Sequence, residues 1–186
     1  MLTIIGGRLK GTRLITPKGR AFRPTLGKTR EALFSVLVSR YELSDFTCVD
    51  LFAGSGALGF EAISRGTAHC SFIESSRQSV QLLKRNIDHL SLQDSCEVFH
   101  SDALAWIGRM TWSQPVLFLI DPPYQSHLAQ SALKCLDARS GELQECLIVV
   151  ESSKKLRIEC PPSMKRFQHK CYGNTTLDFF EITSRS

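Results

Sequence analysis

The sequence predicts an α/β fold in which helices cover both faces of a mostly parallel β-sheet. From Thr47 onward, short apolar runs alternate with segments of helical spacing, which is the rhythm of βαβ units. Several of these runs are apolar at nearly every position, as strands covered on both faces must be. In such a sheet the ligand crevice lies beyond the carboxyl ends of the strands.

Five strands and four helices are predicted in this alternating region. The strands are expected at 47–52 (TCVDLF), 70–74 (CSFIE), 96–100 (CEVFH), 115–121 (PVLFLID) and 146–151 (CLIVVE). The helices are expected at 57–66, 75–90, 101–110 and 126–138. Gly66 would end the first helix, and serines at 75 and 76 would cap the second.

The two ends of the chain show different patterns. Residues 3–16 (TIIGGRLKGTRLIT) predict two short strands around a Gly/Lys turn, followed by a loop and a helix over about 28–40. At the other end, 166–173 and 176–182 predict a β-hairpin that turns at Gly173 and Asn174.

Length and composition exclude several classes of protein. The 186 residues suffice for one domain, and the longest apolar runs are far too short to cross a bilayer. No secretory signal is recognisable, so we expect a soluble, cytoplasmic protein, and we expect a monomer. The seven cysteines form no C-x-x-C pair and predict reduced thiols of the core, and no metal site is expected.

Basic residues are concentrated at the N-terminus. The net charge is +5, yet residues 31–186 carry more acidic than basic side chains. Residues 1–30 contain no acid and eight cations: Arg8, Lys10, Arg13, Lys18, Arg20, Arg23, Lys28 and Arg30. Charge alone is compatible with a polyanion partner or with a solvated basic face.

A glycine-rich turn, DLFAGSGALG at 50–59, follows the first predicted strand and precedes a helix. The spacing of Gly54, Gly56 and Gly59 is typical of turns that bring backbone N–H groups close to a nucleoside cofactor. Glu74 ends the next strand, where a carboxylate accepts hydrogen bonds from a ribose diol. NAD and S-adenosylmethionine (SAM) both fit this pattern, and Asp50 favours SAM because its carboxylate would repel a pyrophosphate.

The stretch LFLIDPPY at 117–124 brings an acid to the same edge of the sheet. Because each proline restricts the residue before it, Asp121 and Pro122 are expected in extended conformations with fixed carbonyl directions. A carboxylate beside a fixed carbonyl can hold the two hydrogens of an exocyclic amine, and Tyr124 offers a face for a flipped base. The alternative is a strand end closed by a turn, with the tyrosine merely packing.

These motifs resemble a known family. DLFAGSGALGFEA, Glu74, Asp102 and DPPY are similar to class I SAM-dependent methyltransferases of exocyclic base amines. The segments GGRLKGTRL, FRPT, TREALF, VVES and KCYGNTTLDFFEI narrow the resemblance to the bacterial 16S rRNA guanine-N2 methyltransferases of the RsmD type. The resemblance implies a Rossmann-like, mostly parallel seven-stranded sheet flanked by helices, with an N-terminal β-hairpin and helix extension.

The resemblance also implies roles for particular residues. Asp50, Phe52, Gly54 and Gly56 would line the methionine end of SAM, Glu74 would bind the ribose and Asp102 the adenine, and Asp121, Pro122 and Tyr124 would hold guanine N2. Asp102 has a second explanation as a helix N-cap. The partner would be 16S rRNA, the small ribosomal subunit or an assembly intermediate, contacted by Arg8, Lys10, Arg13, Arg23, Lys28 and Arg30.

The chain is expected to form one domain, with a basic extension over 1–40 and a catalytic core over 41–186. Three other functions remain compatible with the motifs. DPPY is shared with adenine-N6 DNA methyltransferases, the glycine-rich turn with NAD-dependent oxidoreductases, and a basic segment with RNA-binding modules that have no catalysis.

Overall fold

A seven-stranded sheet with the order β3-β2-β1-β4-β5-β7-β6 forms the centre of the molecule. It is seen in a computed structural model that describes residues 2–16, 24–112, 115–123, 127–143 and 145–183. The strands are β1 Thr47–Leu51, β2 Cys70–Glu74, β3 Cys96–His100, β4 Val116–Ile120, β5 Glu145–Ser153, β6 Lys165–Tyr172 and β7 Thr175–Thr183. The helices are α1 Pro24–Val38, α2 Ala57–Ser64, α3 Arg77–Leu90, α4 Ala103–Ile107 and α5 Leu128–Ala138, with 3₁₀ turns at Leu43–Asp45 and Ser140–Glu142.

The first five strands are parallel, as the βαβ rhythm predicts, and β7 runs antiparallel to both β5 and β6. The chain turns from β6 into β7 at Gly173, whose φ of 60° suits glycine. Strand order reverses between β1 and β4, which both lie at the centre of the sheet. At such a switch point the loops leave in opposite directions and open a crevice at the carboxyl ends of the strands.

Each face of the sheet carries its own layer of helices. On one face Leu117 and Leu119 of β4 join a core that includes Leu37 of α1, Phe60 of α2 and Leu83 of α3. The alternate residues of β4 pack against α4 and α5 on the other face. This alternation follows from the two-residue period of a strand, and it decides below which side chains reach the crevice.

The N-terminal segment, residues 2–16, packs onto the first of these faces. Its predicted pair of strands is reduced to one isolated bridge between Thr3 and Arg13. The segment turns back on itself through the hydrogen bonds from Gly11 N to Ile4 O and from Leu14 N to Leu2 O. Leu2, Ile4 and Leu14 are buried in the core, so the segment is part of the folded unit.

Several predicted boundaries shift for local reasons. The first helix begins at Pro24, because proline is preorganised for the first helical position. Helix α4 begins only after its cap, Asp102, and is therefore shorter than the predicted 101–110. Strand β5 extends to Ser153, since its pairing with β7 continues through Ser153 and Thr175.

Two further properties concern side chains and helix length. All seven cysteines are free thiols, but Cys160 and Cys171 are exposed, so the prediction that the cysteines belong to the core is wrong for these two. In the part of the chain that the structure describes, no helix is both long and apolar enough to span a bilayer.

Candidate functional site

A cavity of about 620 Å³ opens at the carboxyl ends of the central strands. Its lining comes from β1, β2 and β5 near their carboxyl ends and from the segments that follow β1, β2, β3 and β4. Five acidic side chains line it: Asp50, Glu74, Asp102, Asp121 and Glu151. The crevice that the sheet topology predicts is therefore acidic.

Four of these acids share a face because of strand periodicity. Each lies two positions beyond a core residue of the face covered by α1, α2 and α3: Asp50 after Cys48, Glu74 after Phe72, Asp121 after Leu119 and Glu151 after Val149. Residues two apart on a strand point to the same side. The acids thus continue the rows of the core to the edge of the sheet.

The glycine-rich turn connects β1 to the N-terminus of α2 through left-handed backbone. Phe52 has a φ of 67°, Gly54 of 54° and Gly56 of 77°. Left-handed backbone costs little at glycine but is unusual for a bulky residue. Phe52 and Gly54 both line the cavity, as the family resemblance implies. The strained Phe52 is thus held at the predicted binding turn.

Gly56 is not among the residues that line the cavity. A side chain at Gly56 would come within 2.5 Å of Phe60 and 2.7 Å of Leu83. Its missing side chain therefore lets α2 pack closely against the turn and α3. This internal packing and the left-handed φ both explain why a glycine is required at position 56.

Glu74 is tied to the turn by two backbone hydrogen bonds. Its Oε2 accepts from Gly54 N at 2.8 Å, and its Oε1 accepts from Ser76 N at 2.7 Å. Each carboxylate oxygen has a second lone pair, so both retain capacity for a further donor such as a hydroxyl. The geometry holds this carboxylate rigidly beside the turn.

Asp50 lies deeper than the other acids and is only 2% exposed. Its Oδ2 accepts from Gly59 N at 2.9 Å, which links the end of β1 to α2. Burial raises the pKa of Asp50 well above its usual range; the hydrogen bond from Gly59 N acts in the opposite direction, and the nearby Asp121 and Glu74 raise the pKa further. A cation entering the cavity would relieve this crowding of acids.

Asp102 is both a helix cap and a residue of the cavity. It caps α4, with Oδ1 accepting from Ala105 N at 2.9 Å, and it also lines the cavity. The cap uses one oxygen and leaves the other for a ligand.

Asp121 and Pro122 lie directly after β4 and line the cavity together. Asp121 is half-buried and Pro122 is buried. Burial raises the pKa of Asp121 to about 6. The predicted stacking residue, Tyr124, lies outside the described residues.

Glu151 is a cavity residue that was not expected from the sequence. It belongs to β5 and is only 7% exposed. Burial, and then the charge of Asp121, raise the pKa of Glu151 to about 8, while Arg30 acts in the opposite direction. The available signal was its place after the buried run CLIVV, where it resembles Asp121 at the end of β4.

The predicted RNA-contacting cations separate into two groups. Arg8, Lys10, Arg13 and Lys28 are exposed, whereas Arg23 lies outside the described residues. Arg30 is only 5% exposed, so the expectation of an RNA contact does not fit its position. Its Nη2 donates to Thr3 O at 2.6 Å, and its Nε lies 3.4 Å from Glu61 Oε2. Arg30 thus links α1 to the N-terminal segment and α2.

A metal site in a protein needs several ligating side chains close together. Among the residues that the structure describes, no group of three or more histidine, cysteine, aspartate or glutamate side chains could hold a metal ion.

Known proteins resemble this chain over nearly its whole length. The family model described as conserved hypothetical protein 95 matches residues 2–181. Ribosomal RNA small subunit methyltransferase D of Buchnera aphidicola from Acyrthosiphon pisum is 33% identical over 90% of this chain and 86% of that protein. The protein of the same name from Escherichia coli K12 is 35% identical over 81% of this chain and 74% of its own length.

A solved structure shows the same architecture. The putative methyltransferase yhhF from Escherichia coli superposes with a TM-score of 0.84 at 29% identity, covering 99% of both chains. Together these similarities confirm the family resemblance and the fold that the sequence motifs predicted.

Proposed function

The chain belongs to the RsmD family of ribosomal RNA methyltransferases, and from that membership we propose that it transfers a methyl group from SAM to the exocyclic N2 of one guanine in 16S rRNA. The observation that carries the proposal is the convergence of Asp121 and Pro122 with the glycine-rich turn and Glu74 on one cavity. A cofactor region and an amine-holding region are thus adjacent.

The residues of the cavity suit SAM. Its sulfonium and ammonium groups are cationic, and a bound cation would favour the ionised forms of the buried Asp50 and the half-buried Asp121. Glu74, held by Gly54 N and Ser76 N, has the remaining acceptor capacity for a ribose diol. Asp102 would accept from the adenine amine with the oxygen that its cap leaves free. SAM, when bound, supplies a methyl group activated for displacement.

Asp121 and the carbonyl of Pro122 would hold the two hydrogens of the guanine amine. An exocyclic amine is a poor nucleophile while its lone pair is delocalised into the ring. Two acceptors on its hydrogens favour the geometry in which the lone pair points at the methyl carbon, so they stabilise the transition state more than the ground state. N2 would then bond to the methyl carbon as the carbon–sulfur bond breaks, which leaves S-adenosylhomocysteine, and the carboxylate of Asp121 would accept the proton that the methylated amine releases. Tyr124 would stack on the flipped base.

The RNA partner would be 16S rRNA in the small subunit or an assembly intermediate, which implies a cytoplasmic enzyme. Support comes from the names of the relatives and from the exposed cations Arg8, Lys10, Arg13 and Lys28. The proposal also includes a single domain with a basic extension over 1–40, and a monomer.

Replacement of Asp121 tests the proposal. We expect Asp121→Asn to lower turnover at least about 100-fold, because the uncharged amide oxygen is a weaker acceptor for the amine than a carboxylate, while SAM affinity changes little. The matched variant Glu74→Ala should chiefly weaken SAM binding. The measurements are methyl transfer from labelled SAM to undermethylated small subunits, nucleoside identification, and calorimetric SAM titration.

The same assay separates the alternatives. Labelled N2-methylguanine in 16S rRNA supports the proposal. Labelled N6-methyladenine obtained only from DNA, or tight NAD binding with no binding of SAM, would refute it.

A further inference from the structure

One buried carboxyl oxygen at the site has no hydrogen-bond partner. Oε1 of Glu151 has almost no solvent-accessible surface and accepts no hydrogen bond from any residue that the structure describes. Buried polar atoms in folded proteins are nearly always paired, because an unpaired one keeps its desolvation cost. Since Glu151 lines the cavity, a ligand group that enters the cavity is the natural donor.

Glu151 lies beside Asp121 in the sheet. The preceding residues, Ile120 of β4 and Val150 of β5, are paired in register, so the two acids occupy equivalent places on neighbouring strands. Neighbouring strands are roughly 4.8 Å apart, and both side chains point to the same face. Two carboxyl groups therefore face the ligand side by side.

The nearby cation, Arg30, is engaged elsewhere. Its Nη2 donates to Thr3 O, and its Nε faces Glu61. The charge of Arg30 lowers the pKa of Glu151, but Arg30 does not donate the missing hydrogen bond. Among the described residues, Oε1 of Glu151 therefore has no hydrogen-bond donor, and a ligand could supply one.

Guanine presents two adjacent donors on its Watson–Crick edge, the N2 amine and N1–H. Adenine presents its amine beside an N1 that is an acceptor. Above a pH of about 8, which is the raised pKa of its carboxyl group, Glu151 is ionised and only accepts hydrogen bonds. An ionised carboxylate opposite N1 favours guanine, whose N1–H donates to it, and is repelled by the lone pair of adenine N1. Enzymes that flip a base read it through this edge.

We propose that Glu151 selects guanine by accepting the N1–H hydrogen bond while Asp121 holds the adjacent N2 amine. The inference rests on the proposed function and adds a base-reading residue to it. It also gives the acid pair two separate tasks: Asp121 acts on the amine that is methylated, and Glu151 acts on its neighbour.

The test replaces the target guanine of the RNA with 2-aminopurine, which keeps the N2 amine but has an acceptor at N1. Wild-type enzyme and Glu151→Gln are compared by kcat/KM on the guanine and 2-aminopurine RNAs, prepared by ligation around the methylated position. The assays are run above the pKa of Glu151, which is about 8, so that its carboxylate is ionised. We expect wild type to prefer guanine. In Glu151→Gln the preference should fall at least about tenfold, because the amide can donate to the unprotonated N1.

The ratio of the two kcat/KM values within one variant does not depend on the fraction of folded enzyme. Glu181→Gln, at an ion-paired carboxylate of β7 outside the cavity, is the matched control and should keep the wild-type ratio. An unchanged ratio in Glu151→Gln would overturn the inference while leaving the methyltransferase proposal intact. Absence of methylation of the guanine RNA by wild-type enzyme would overturn both.

Discussion

Asp121 illustrates how one side chain acquires a function from its surroundings. Its burial disfavours the charged form and raises its pKa to about 6, above the ordinary value near 4. Because the folded-state pKa is raised, the associated stabilisation is present below pH 4 and is lost as the pH rises through about 6. At neutral pH the ionised carboxylate therefore lowers the stability of the fold, and a cationic cofactor would offset that cost.

The pKa of Asp121 predicts the acidic limb of the activity profile. The amine needs the ionised carboxylate as an acceptor, so kcat/KM for RNA should fall about tenfold per pH unit below pH 6. Cationic SAM favours ionisation, so saturating SAM should move this limb to lower pH. Initial rates between pH 5 and 8, with SAM affinity measured in parallel, check this. A flat profile across that range would contradict the assignment of Asp121.

At the scale of elements, Glu61 of α2 joins three parts of the chain. Its carboxylate is completely buried and accepts from Ile5 N and Gly6 N of the N-terminal segment at 2.9 and 2.8 Å. It also pairs with Arg65 and with Arg30 of α1. The N-terminal segment therefore owes its position to hydrogen bonds and charge pairing as well as to apolar burial.

Removal of this carboxylate should be strongly destabilising. We expect Glu61→Ala to lower the free energy of unfolding by about 3–5 kcal/mol, because Arg30 would remain buried without its partner. Urea denaturation measures the loss.

The control for this variant is Lys165→Ala, which removes an ion pair whose lysine is 77% exposed and should change stability little. A similar loss in the two variants would contradict the role given to Glu61.

At the scale of the whole molecule, the cavity and the N-terminal segment carry side chains of opposite charge. The cavity concentrates acids at the carboxyl ends of the strands, whereas exposed cations occupy the N-terminal segment. An acidic cavity suits a cationic cofactor, and a basic surface suits a polyanion. The net charge of +5 alone does not show that these two regions are separate.

The exposed cations predict a salt-dependent affinity for RNA. We expect the combined variant Arg8→Ala, Lys10→Ala, Arg13→Ala to bind 16S rRNA more weakly, with a smaller slope of log affinity against log salt. SAM affinity should not change. Filter binding over a range of salt concentrations measures the slope.

Lys134→Ala removes an exposed cation of α5, on the opposite face of the sheet, and serves as the control. An equal effect of the control and the triple variant would refute a localised RNA surface.

Local patterns suffice for much of this molecule. The sheet, its parallel core and the C-terminal hairpin follow from strand and helix periodicities that neighbouring residues display. The arrival of Asp50, Glu74 and Asp121 at one cavity follows as well, because carboxyl ends of parallel strands meet at one edge. These features depend on residues close in sequence, or on a rule of chain topology.

Other features were decided only by tertiary contacts. Arg30 belongs to a basic segment, yet Glu61 and Thr3, both distant in sequence, bury it within the fold. Gly56 fits a cofactor motif, yet it is Phe60 and Leu83 that leave no space for a side chain at this position. Glu151 reads as one more strand residue until β5 is aligned with β4 and its oxygen is found without a donor. The sequence by itself determined which edge of the sheet carries the chemistry, since periodicity is local. The tertiary structure decided which charges face that edge, because pairing and burial depend on residues that only folding brings together.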